Sequence, residues 1–195
     1  MVLLTACLDA LAKHWDSTAR PVVTETTPRN AADRMRMFLQ QHAQHPAFAK
    51  VSAPLLRASD QRTHLMLESR FPFARYCKNG MNEVATWKDD PDFADLEREE
   101  DEGNHKLLIN CSYGGILYKE LRCAWLHKFL PESEQIVTLE DDHRSSEPYY
   151  RYVVNTEQFL LMIPVSFLVA TVERVLRSFE RETEECNILP FDDDG

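Results

Sequence analysis

Glycine is scarce in this chain: only 5 of its 195 residues are glycine, whereas apolar residues make up 44%. Folds built from many short strands rely on glycine-rich turns, so this composition favours helices. No glycine-rich phosphate loop occurs, which leaves no sign of a nucleotide-binding loop of that kind. The length and the apolar content predict one domain with a substantial core.

Paired cysteines are missing as well. The 5 cysteines are widely spaced, odd in number, and form no Cys-x-x-Cys pair. Such a pattern indicates reduced thiols in a cytoplasmic protein, and it argues against a disulfide framework or a zinc site. His42, His45 and His64 do not have the spacing of metal ligands either. The sequence therefore predicts neither a metal nor another cofactor.

Segments that would bring the chain to a membrane are not evident. The apolar run from Phe159 to Val172 is short for a bilayer span and contains Pro164, so we expect a buried helix. The stretch from Leu4 to Cys7 is similar to a lipoprotein cleavage site, but only six residues precede the cysteine and none is basic. We therefore expect no signal peptide and no membrane partner.

Positive charge is in short supply: 22 Lys and Arg stand against 32 Asp and Glu, a formal net charge of −10. Because affinity for phosphates depends on cations, such a chain is a poor general binder of nucleic acid. Any contact with RNA must be local, in a groove where arginines gather. The acidic run over residues 89–103 is expected to be a solvated loop or an exposed helix start. A carboxylate metal site is the alternative, but the spacing fits no metal-binding loop.

Apolar side chains recur with helical spacing in several parts of the chain. The predicted helices cover residues 2–16, 30–44, 60–71, 105–130 and 156–185. Asn30 and Thr156 are the predicted N-caps of two of them. Gly114 and Gly115 lie near the middle of the predicted helix 105–130, where they would permit the close approach of another backbone.

The period of the pattern changes after this helix. Residues 135–140 and 149–154 have the character of strands around a polar loop, which predicts a β-hairpin at about 135–154. The predicted fold is therefore mainly α, a helical bundle with a small β-hairpin insertion. It forms one domain over residues 1–185, followed by an acidic C-terminal tail over 186–195.

Arg122 and His127 are the most informative pair, because they lie near the end of a helix whose other side chains are mostly apolar. A guanidinium holds a phosphate with a planar fork of donors, and an imidazole transfers protons near neutral pH. On an α-helix the two residues lie about 7.5 Å apart along the axis and flank one groove. A second copy of the helix could close that groove, and the site would then belong to a dimer.

Plainer roles are open for both residues. Arg122 can form an ion pair with Glu120 of a neighbouring chain or with an acidic group elsewhere. His127 can be a core histidine bonded to a carbonyl. Cys123 lies one helical turn before His127, where its thiol can form a weak hydrogen bond or simply pack.

The run from Leu117 to His127, with its Arg-x4-His spacing, resembles the signature of the HEPN superfamily. This resemblance implies an all-α up-and-down bundle, usually dimeric, with the signature helices facing each other. Many members are metal-independent ribonucleases of toxin–antitoxin, abortive-infection and CRISPR-linked defence systems, and others are binding modules without catalysis. Two positions depart from the pattern. Cys123 replaces the polar residue that often follows the arginine, and Phe129 replaces a tyrosine that a partner enzyme modifies in some relatives.

The residues and the resemblance together predict a metal-independent, HEPN-type endoribonuclease of the cytoplasm, a toxin or phage-defence effector. The RNA 2′-hydroxyl would attack the adjacent phosphorus, with Arg122 and His127 as the catalytic residues at the interface of a homodimer. Glu120 and Cys123 would support them. The alternative is a catalytically inactive HEPN-like module that binds or scaffolds in a defence system.

A regulatory role for the predicted hairpin is a third hypothesis. Tyr149, Tyr150 and Tyr152 would anchor an antitoxin or another regulatory protein, because tyrosines are common at interfaces. The same tyrosines can instead cover the core of the domain.

Overall fold

The structure, a computed structural model, describes residues 2–18, 27–59, 71, 73, 85–98, 102–123, 135–139 and 145–185. This part of the chain is mainly α-helical, as predicted, and carries a four-stranded sheet. The helices are α1 (Val2–Ser17), α2 (Ala31–His42), α3 (Ala53–Ser59), α4 (Phe93–Glu97), α5 (Glu102–Cys111), α6 (Tyr113–Ile116) and α7 (Val165–Glu185). The strands are β1 (Ala85–Thr86), β2 (Ile136–Leu139), β3 (Tyr149–Val153) and β4 (Gln158–Pro164). Short 3-10 turns cover Pro46–Ala49 and Trp87–Asp89, and a π-helix covers Leu117–Cys123.

Local sequence signals predicted the first two helices correctly. α1 and α2 lie where the apolar spacing put them, and Asn30 caps α2. The side-chain oxygen of Asn30 accepts hydrogen bonds from the backbone N–H groups of Ala32 and Asp33, at 2.9 and 3.0 Å. N–H groups in the first turn have no carbonyl partner within the helix, so the cap supplies one.

The continuous helix predicted over residues 105–130 is wrong in its described part. α5 ends one residue before Ser112, which has an extended backbone with a ψ of 151°. The Ser112 hydroxyl donates to the carbonyl of Ile109 and accepts from the N–H of Gly115, so it ends one helix and caps the next. The chain then continues into the π-helix, and residues 124–130 lie outside the described residues.

Gly114 allows α6 to pack closely against α2. A Cβ atom built on Gly114 would lie 2.5 Å from the Cα atom of Arg36 in α2. A side chain cannot stand so close to a backbone atom, so the two helices pack at a separation that requires glycine. The close backbone approach that the sequence predicted is thus confirmed at this position.

The β-hairpin predicted over residues 135–154 is wrong. β2 and β3 do form, but they lie on opposite sides of β4 in the order β1-β3-β4-β2. β4 runs parallel to β2 and antiparallel to β3. The hairpin in the structure therefore joins β3 to β4, through a turn in which Glu157 has a positive φ of 53°.

The last helix begins at Val165 and not at the predicted residue 156, because the preceding segment is the strand β4. The segment from Phe159 to Ile163 is a continuous apolar run, and periodicity does not distinguish a buried strand from a buried helix. Pairing with a strand on each side makes it a strand here. Thr156, a predicted N-cap, lies in the turn before β4.

The acidic run over residues 89–103 is only partly the solvated loop that we expected. α4 lies within this run and buries Phe93 and Leu96. Asp90 is 3% exposed and accepts hydrogen bonds inside the protein. A short part of this run therefore belongs to the core, although its acidic composition predicted exposure to solvent.

The remaining predictions fall largely beyond the described residues. Apart from Phe71, the predicted helix over residues 60–71 lies outside them, as does the tail over 186–195. α3 was not predicted as a helix. Among the helices that the structure describes, none combines the length and the apolar character needed to cross a membrane.

Candidate functional site

Arg122 of the predicted catalytic pair lies within the described residues, whereas His127 does not. Arg122 occupies the last turn of the π-helix. A π-helix has a wider turn than an α-helix, so the turn that carries Arg122 differs from the α-helical turn assumed in the sequence analysis. The backbone of Cys123 ends the π-helix, but its side chain is outside the described structure. Among the predicted site residues, contacts of the side chains of Arg122 and Glu120 can therefore be described.

Asp9 of α1 is an ion-pair partner of Arg122. Its Oδ2 atom lies 3.0 Å from Nη2 of Arg122. Lys13, one turn further along α1, has its Nζ atom 3.1 Å from the same oxygen, and Nη2 of Arg34 in α2 lies 4.0 Å from Oδ1. The Asp9 side chain is only 5% exposed, and the cations around it offset the hydration that a carboxylate loses on burial. Asp9 is thus the kind of acidic group that the sequence left open as a partner for Arg122.

Asp16 also belongs to the group of charges around Asp9. Arg34 also approaches Asp16, with 3.8 Å between Nη1 and Oδ2. Lys13, Arg34 and Arg122, three cations, thus share two carboxylates, and their side chains are 53%, 19% and 22% exposed. We call these five residues the Asp9 cluster. The three cations keep part of their side chains in contact with solvent, and a partly exposed cation can attract an anion even in an acidic protein.

Tyr118 adds a second contact to Arg122. The guanidinium carbon lies 5.6 Å from the centroid of the Tyr118 ring, which precedes Arg122 by four positions in the π-helix. The quadrupole of an aromatic ring attracts a cation over its face. Asp9 and Tyr118 together orient the guanidinium, while part of it stays exposed. An oriented and partly exposed guanidinium is suited to contact a phosphate.

Glu120, a predicted supporting residue, lines a cavity. This cavity has a volume of about 300 Å³ and lies between α3, α5, α6, the π-helix and β2. Glu120 is 6% exposed, and the Nζ atom of Lys119 lies 3.6 Å from its Oε1 atom. Asn110 and Cys111 of α5 also line the cavity. Glu120 therefore belongs to the cavity wall, whereas Arg122 belongs to the Asp9 cluster.

The thiol of Cys111 is an unsuitable nucleophile for this cavity. Burial raises the pKa of Cys111 to about 11, and a hydrogen bond with Ser59, at 4.0 Å between sulfur and oxygen, offsets only part of this effect. The thiolate is the reactive form, and it is rare at neutral pH when the pKa is so high. The cavity is consequently better suited to binding a ligand than to covalent chemistry at the cysteine.

A buried hydrogen-bond network joins Asp90 to two tyrosines. The hydroxyl groups of Tyr113 and Tyr150 donate to Oδ2 of Asp90 at 2.8 and 2.6 Å, and the N–H of Ala53 donates to Oδ1 at 2.9 Å. The Tyr150 hydroxyl also lies 2.9 Å from that of Ser52. Burial raises the pKa of Asp90 to about 7, although these donors favour the carboxylate. The network links β3, α6 and α3, so its role is to hold the fold together.

The tyrosines of β3 do not form the exposed anchor that the regulatory hypothesis required. Tyr149 and Tyr150 are 3% and 2% exposed. Tyr152 is partly buried, and its ring centroid lies 5.0 Å from that of Phe159. The alternative reading, in which these tyrosines cover the core, is confirmed for Tyr149 and Tyr150.

His42 is a core histidine. Its ring contacts the rings of Trp15, Phe38 and Phe179, and its Nδ1 atom lies 3.3 Å from the Ser178 hydroxyl. Burial lowers the pKa of His42 to about 4, so the ring is neutral at pH 7. Within the described ranges, no group of three His, Cys, Asp or Glu side chains could hold a metal ion.

The sequence-based search found Arg122 but missed Asp9, although a signal was present. Asp9 directly follows Leu8, on the stripe of α1 that faces the core, and Lys13 comes four positions later. An acidic residue beside the buried face of an amphipathic helix needs a cation nearby. A search for partners of Arg122 on this principle would have included Asp9.

No family model matches the chain, and comparisons with curated proteins and with solved structures give no match. The resemblance to the HEPN superfamily consequently depends on the sequence run that contains Arg122 and His127. The function has to be argued from the chemistry of the residues themselves.

Proposed function

We propose that the chain is a metal-independent endoribonuclease of HEPN type in which Arg122 binds the scissile phosphate of RNA. The observation that carries the proposal is the Asp9 cluster, in which a nearly buried carboxylate holds a partly exposed arginine and three cations gather in a chain with a net charge of −10. Buried Asp9 orients Arg122 before any substrate binds. Charges that are already oriented stabilise a transition state without the cost of reorganisation.

The proposed reaction transfers the phosphorus from one oxygen of the RNA to another. A base removes the proton of a 2′-hydroxyl, and this oxygen attacks the adjacent phosphorus. The bond from phosphorus to the 5′-oxygen then breaks, and the leaving oxygen takes up a proton. The products are a 2′,3′-cyclic phosphate and a 5′-hydroxyl. Arg122 would bind the non-bridging oxygens, and His127 would exchange the protons, because an imidazole titrates near neutral pH.

Cleavage of a labelled RNA by the purified full chain in the presence of a chelator tests the proposal. We expect the wild type to produce 2′,3′-cyclic phosphate ends and His127→Ala to lose at least about a hundredfold in rate, the usual contribution of a general acid or base. His143→Ala removes an imidazole elsewhere and should keep full activity. Equal cleavage by the wild type and His127→Ala would disprove the assignment.

The arginine is tested separately, because its loss also removes an ion pair from the fold. Arg122→Lys keeps the charge but not the planar fork, so we expect binding and cleavage of RNA to weaken while the protein stays folded. Arg98→Lys is the matched control, since the side chain of Arg98 is 77% exposed. Circular dichroism of each variant shows whether a lost activity reflects a lost fold.

A homodimer would complete the proposed site, as the resemblance implies. If opposite copies supply the arginine and the histidine, Arg122→Ala and His127→Ala chains should be inactive alone and active after they are refolded together. Sedimentation at the concentrations of the assay gives the oligomeric state. A fully active monomer would exclude a shared site and leave the cleavage proposal standing on a single chain. Activity of this kind, released in a cell, would suit a toxin or a phage-defence effector.

A second candidate function is a binding or scaffolding module without catalysis. The observation in its favour is the ion pair of Arg122 with Asp9. Together with the Tyr118 ring, this pair gives the guanidinium a structural role that needs no RNA. In that case Arg122→Ala would lower the melting temperature, and the wild type would cut no RNA. Thermal unfolding and the cleavage assay, carried out on the same preparations, distinguish the two functions.

A further inference from the structure

Lys13 is the most exposed of the three cations in the Asp9 cluster. Its side chain is 53% exposed, compared with 19% for Arg34 and 22% for Arg122. An ammonium group has three N–H donors, and one of them suffices for Asp9, whose Oδ2 atom lies 3.1 Å from Nζ. Among the described residues, Asp9 is the one ion-pair partner of Lys13. At this exposure, the remaining donors are within reach of a ligand in solution.

Asp9 brings the ammonium group of Lys13 close to the guanidinium of Arg122. Nζ of Lys13 and Nη2 of Arg122 lie 3.1 and 3.0 Å from the same oxygen atom, so the two nitrogens are at most about 6 Å apart. Two cations at this distance repel each other, and a bound anion offsets the repulsion. Two hydrogen bonds of about 2.7–2.9 Å to different oxygens of one phosphate cover such a distance. The pair can therefore bind a single phosphate, with one non-bridging oxygen on each cation.

Arg34 is less suited to this role. Its Nη2 and Nη1 atoms lie 4.0 and 3.8 Å from oxygens of Asp9 and Asp16, and little of its side chain reaches solvent. Both distances are longer than a hydrogen bond, so the charge of Arg34 acts on these carboxylates without a direct hydrogen bond. Arg34 therefore contributes to the field around Asp9, whereas Lys13 offers donors to a ligand.

We propose that Lys13 is a further substrate-binding residue of the nuclease site, and that its ammonium group contacts the scissile phosphate beside Arg122. The inference rests on the proposed function and adds no covalent step to it. As the 2′-oxygen attacks, the phosphate gains negative charge, and a second cation on its non-bridging oxygens stabilises that charge. The plainer role of Lys13 is an exposed ion pair with Asp9 one helical turn away, which adds little to stability.

Binding of an uncleavable RNA to the full chain tests the contact without requiring catalysis. A 2′-O-methyl RNA keeps its phosphates but has no 2′-hydroxyl to attack with, and fluorescence anisotropy measures its affinity at several salt concentrations. Each cation that contacts a phosphate of a single strand adds about 0.7 to the slope of log affinity against log salt. We expect Lys13→Gln to weaken binding at least about threefold and to reduce the slope by about 0.7. Lys13→Arg keeps the charge and should restore both values.

Lys88→Gln is the matched control and should bind like the wild type. Lys88 also pairs with a carboxylate, that of Glu147 at 3.7 Å, and its side chain is 66% exposed, but it lies outside the Asp9 cluster. Both substitutions change the net charge by the same amount, so a general electrostatic effect would weaken binding equally. Equal affinities and slopes for the two variants would overturn the proposal. A weaker affinity of Lys13→Gln with the slope of the wild type would also overturn it, because Lys13 would then act only through Asp9 and the orientation of Arg122.

The cleavage rate identifies which phosphate Lys13 contacts. At saturating RNA, Lys13→Gln should lower the single-turnover rate at least about tenfold, since negative charge develops at the scissile phosphate. An unchanged rate at saturation would contradict a contact with that phosphate. Circular dichroism shows whether each variant folds, and Lys13→Met, which also removes the charge, takes the place of Lys13→Gln if that variant is unfolded.

The same measurements distinguish this inference from the proposed function. A wild type that binds the 2′-O-methyl RNA with a slope that depends on Lys13, yet cuts no unmodified RNA, keeps the phosphate-binding role of Lys13 and loses the nuclease. A wild type that cuts RNA, while Lys13→Gln binds and cuts it equally well, keeps the nuclease and loses the contact. A wild type that binds no RNA overturns both.

Discussion

The carboxylate of Asp9 and the guanidinium of Arg122 lie 3.0 Å apart and tie α1 to the π-helix. Through this ion pair, α1 helps to orient Arg122, the candidate phosphate-binding residue. Because Asp9 is nearly buried, its contribution is not screened by solvent as that of a surface ion pair would be.

Asp9→Asn should lower both stability and activity. The neutral amide keeps the shape of the side chain but loses its attraction for three cations, and we expect a loss of about 1–3 kcal/mol in the free energy of unfolding. Asp16→Asn is the matched control, with a loss of less than about 1 kcal/mol, since Asp16 is more exposed. Urea unfolding measures both. Cleavage should also fall for Asp9→Asn at temperatures where the protein is fully folded, and an unchanged rate there would show that Asp9 does not position Arg122.

Gly114→Ala should destabilise the packing of α6 on α2. The added methyl group would meet the Cα atom of Arg36 at 2.5 Å, and a backbone atom in the middle of a helix cannot move aside cheaply. Such overpacking costs about 1–3 kcal/mol or more. Thermal unfolding measures the loss. A melting temperature equal to that of the wild type would mean that the two helices do not approach as closely as the structure shows.

The same glycine illustrates what the sequence can reveal. Asn30 and Gly114 act through chemistry that is local to their own positions, a side-chain cap and a missing Cβ, so their roles were predictable. β4 was not, because a short apolar run becomes a strand or a helix according to its neighbours. Those neighbours are β2 and β3, and pairing with a parallel strand and an antiparallel one is a tertiary property that no local pattern encodes.

The candidate sites also combine features that the local sequence predicts with features that only the tertiary structure reveals. Arg122 was found from its spacing to His127, and its ion pair with Asp9 could have been anticipated from an acidic residue beside the apolar stripe of α1. The cavity beside Glu120 could not, because its walls come from five elements that are separate in the chain. Nor could the sequence show that Asp90, in the acidic run, is buried.

Tyr150→Phe should destabilise the fold more than Tyr113→Phe. The Tyr150 hydroxyl lies within hydrogen-bond distance of Asp90, Ser52 and Tyr113, whereas the Tyr113 hydroxyl contacts only Asp90 and Tyr150 in this network. Each loss should amount to about 1–3 kcal/mol, the cost of leaving a buried polar group without a partner. Urea unfolding at pH 8 gives both values. A larger loss for Tyr113→Phe would show that the Tyr113 hydroxyl contributes more to stability than the Tyr150 hydroxyl.

The pH dependence of stability should carry a contribution from His42. Its pKa is about 4 in the folded protein, below the usual 6.5, because burial among aromatic rings disfavours the charged ring. Glu182 of α7 lies 3.7 Å from Nε2 of His42. Burial also raises the pKa of Glu182, because the loss of hydration disfavours its carboxylate. Asp90 acts in the opposite sense, because its raised pKa favours the folded state as the pH falls.

His42→Gln should remove part of the acid sensitivity of the fold. Between pH 6.5 and about 4 the unfolded chain binds a proton at His42 that the folded chain does not, so stability falls as the pH is lowered through this range. The loss from this group reaches about 3 kcal/mol near pH 4 and then levels off. Unfolding free energies at pH 7.5, 6, 5 and 4 for both proteins isolate it, because Asp90 contributes equally to each. Parallel curves for the wild type and His42→Gln would show that His42 takes up its proton in the folded protein as readily as in the unfolded chain.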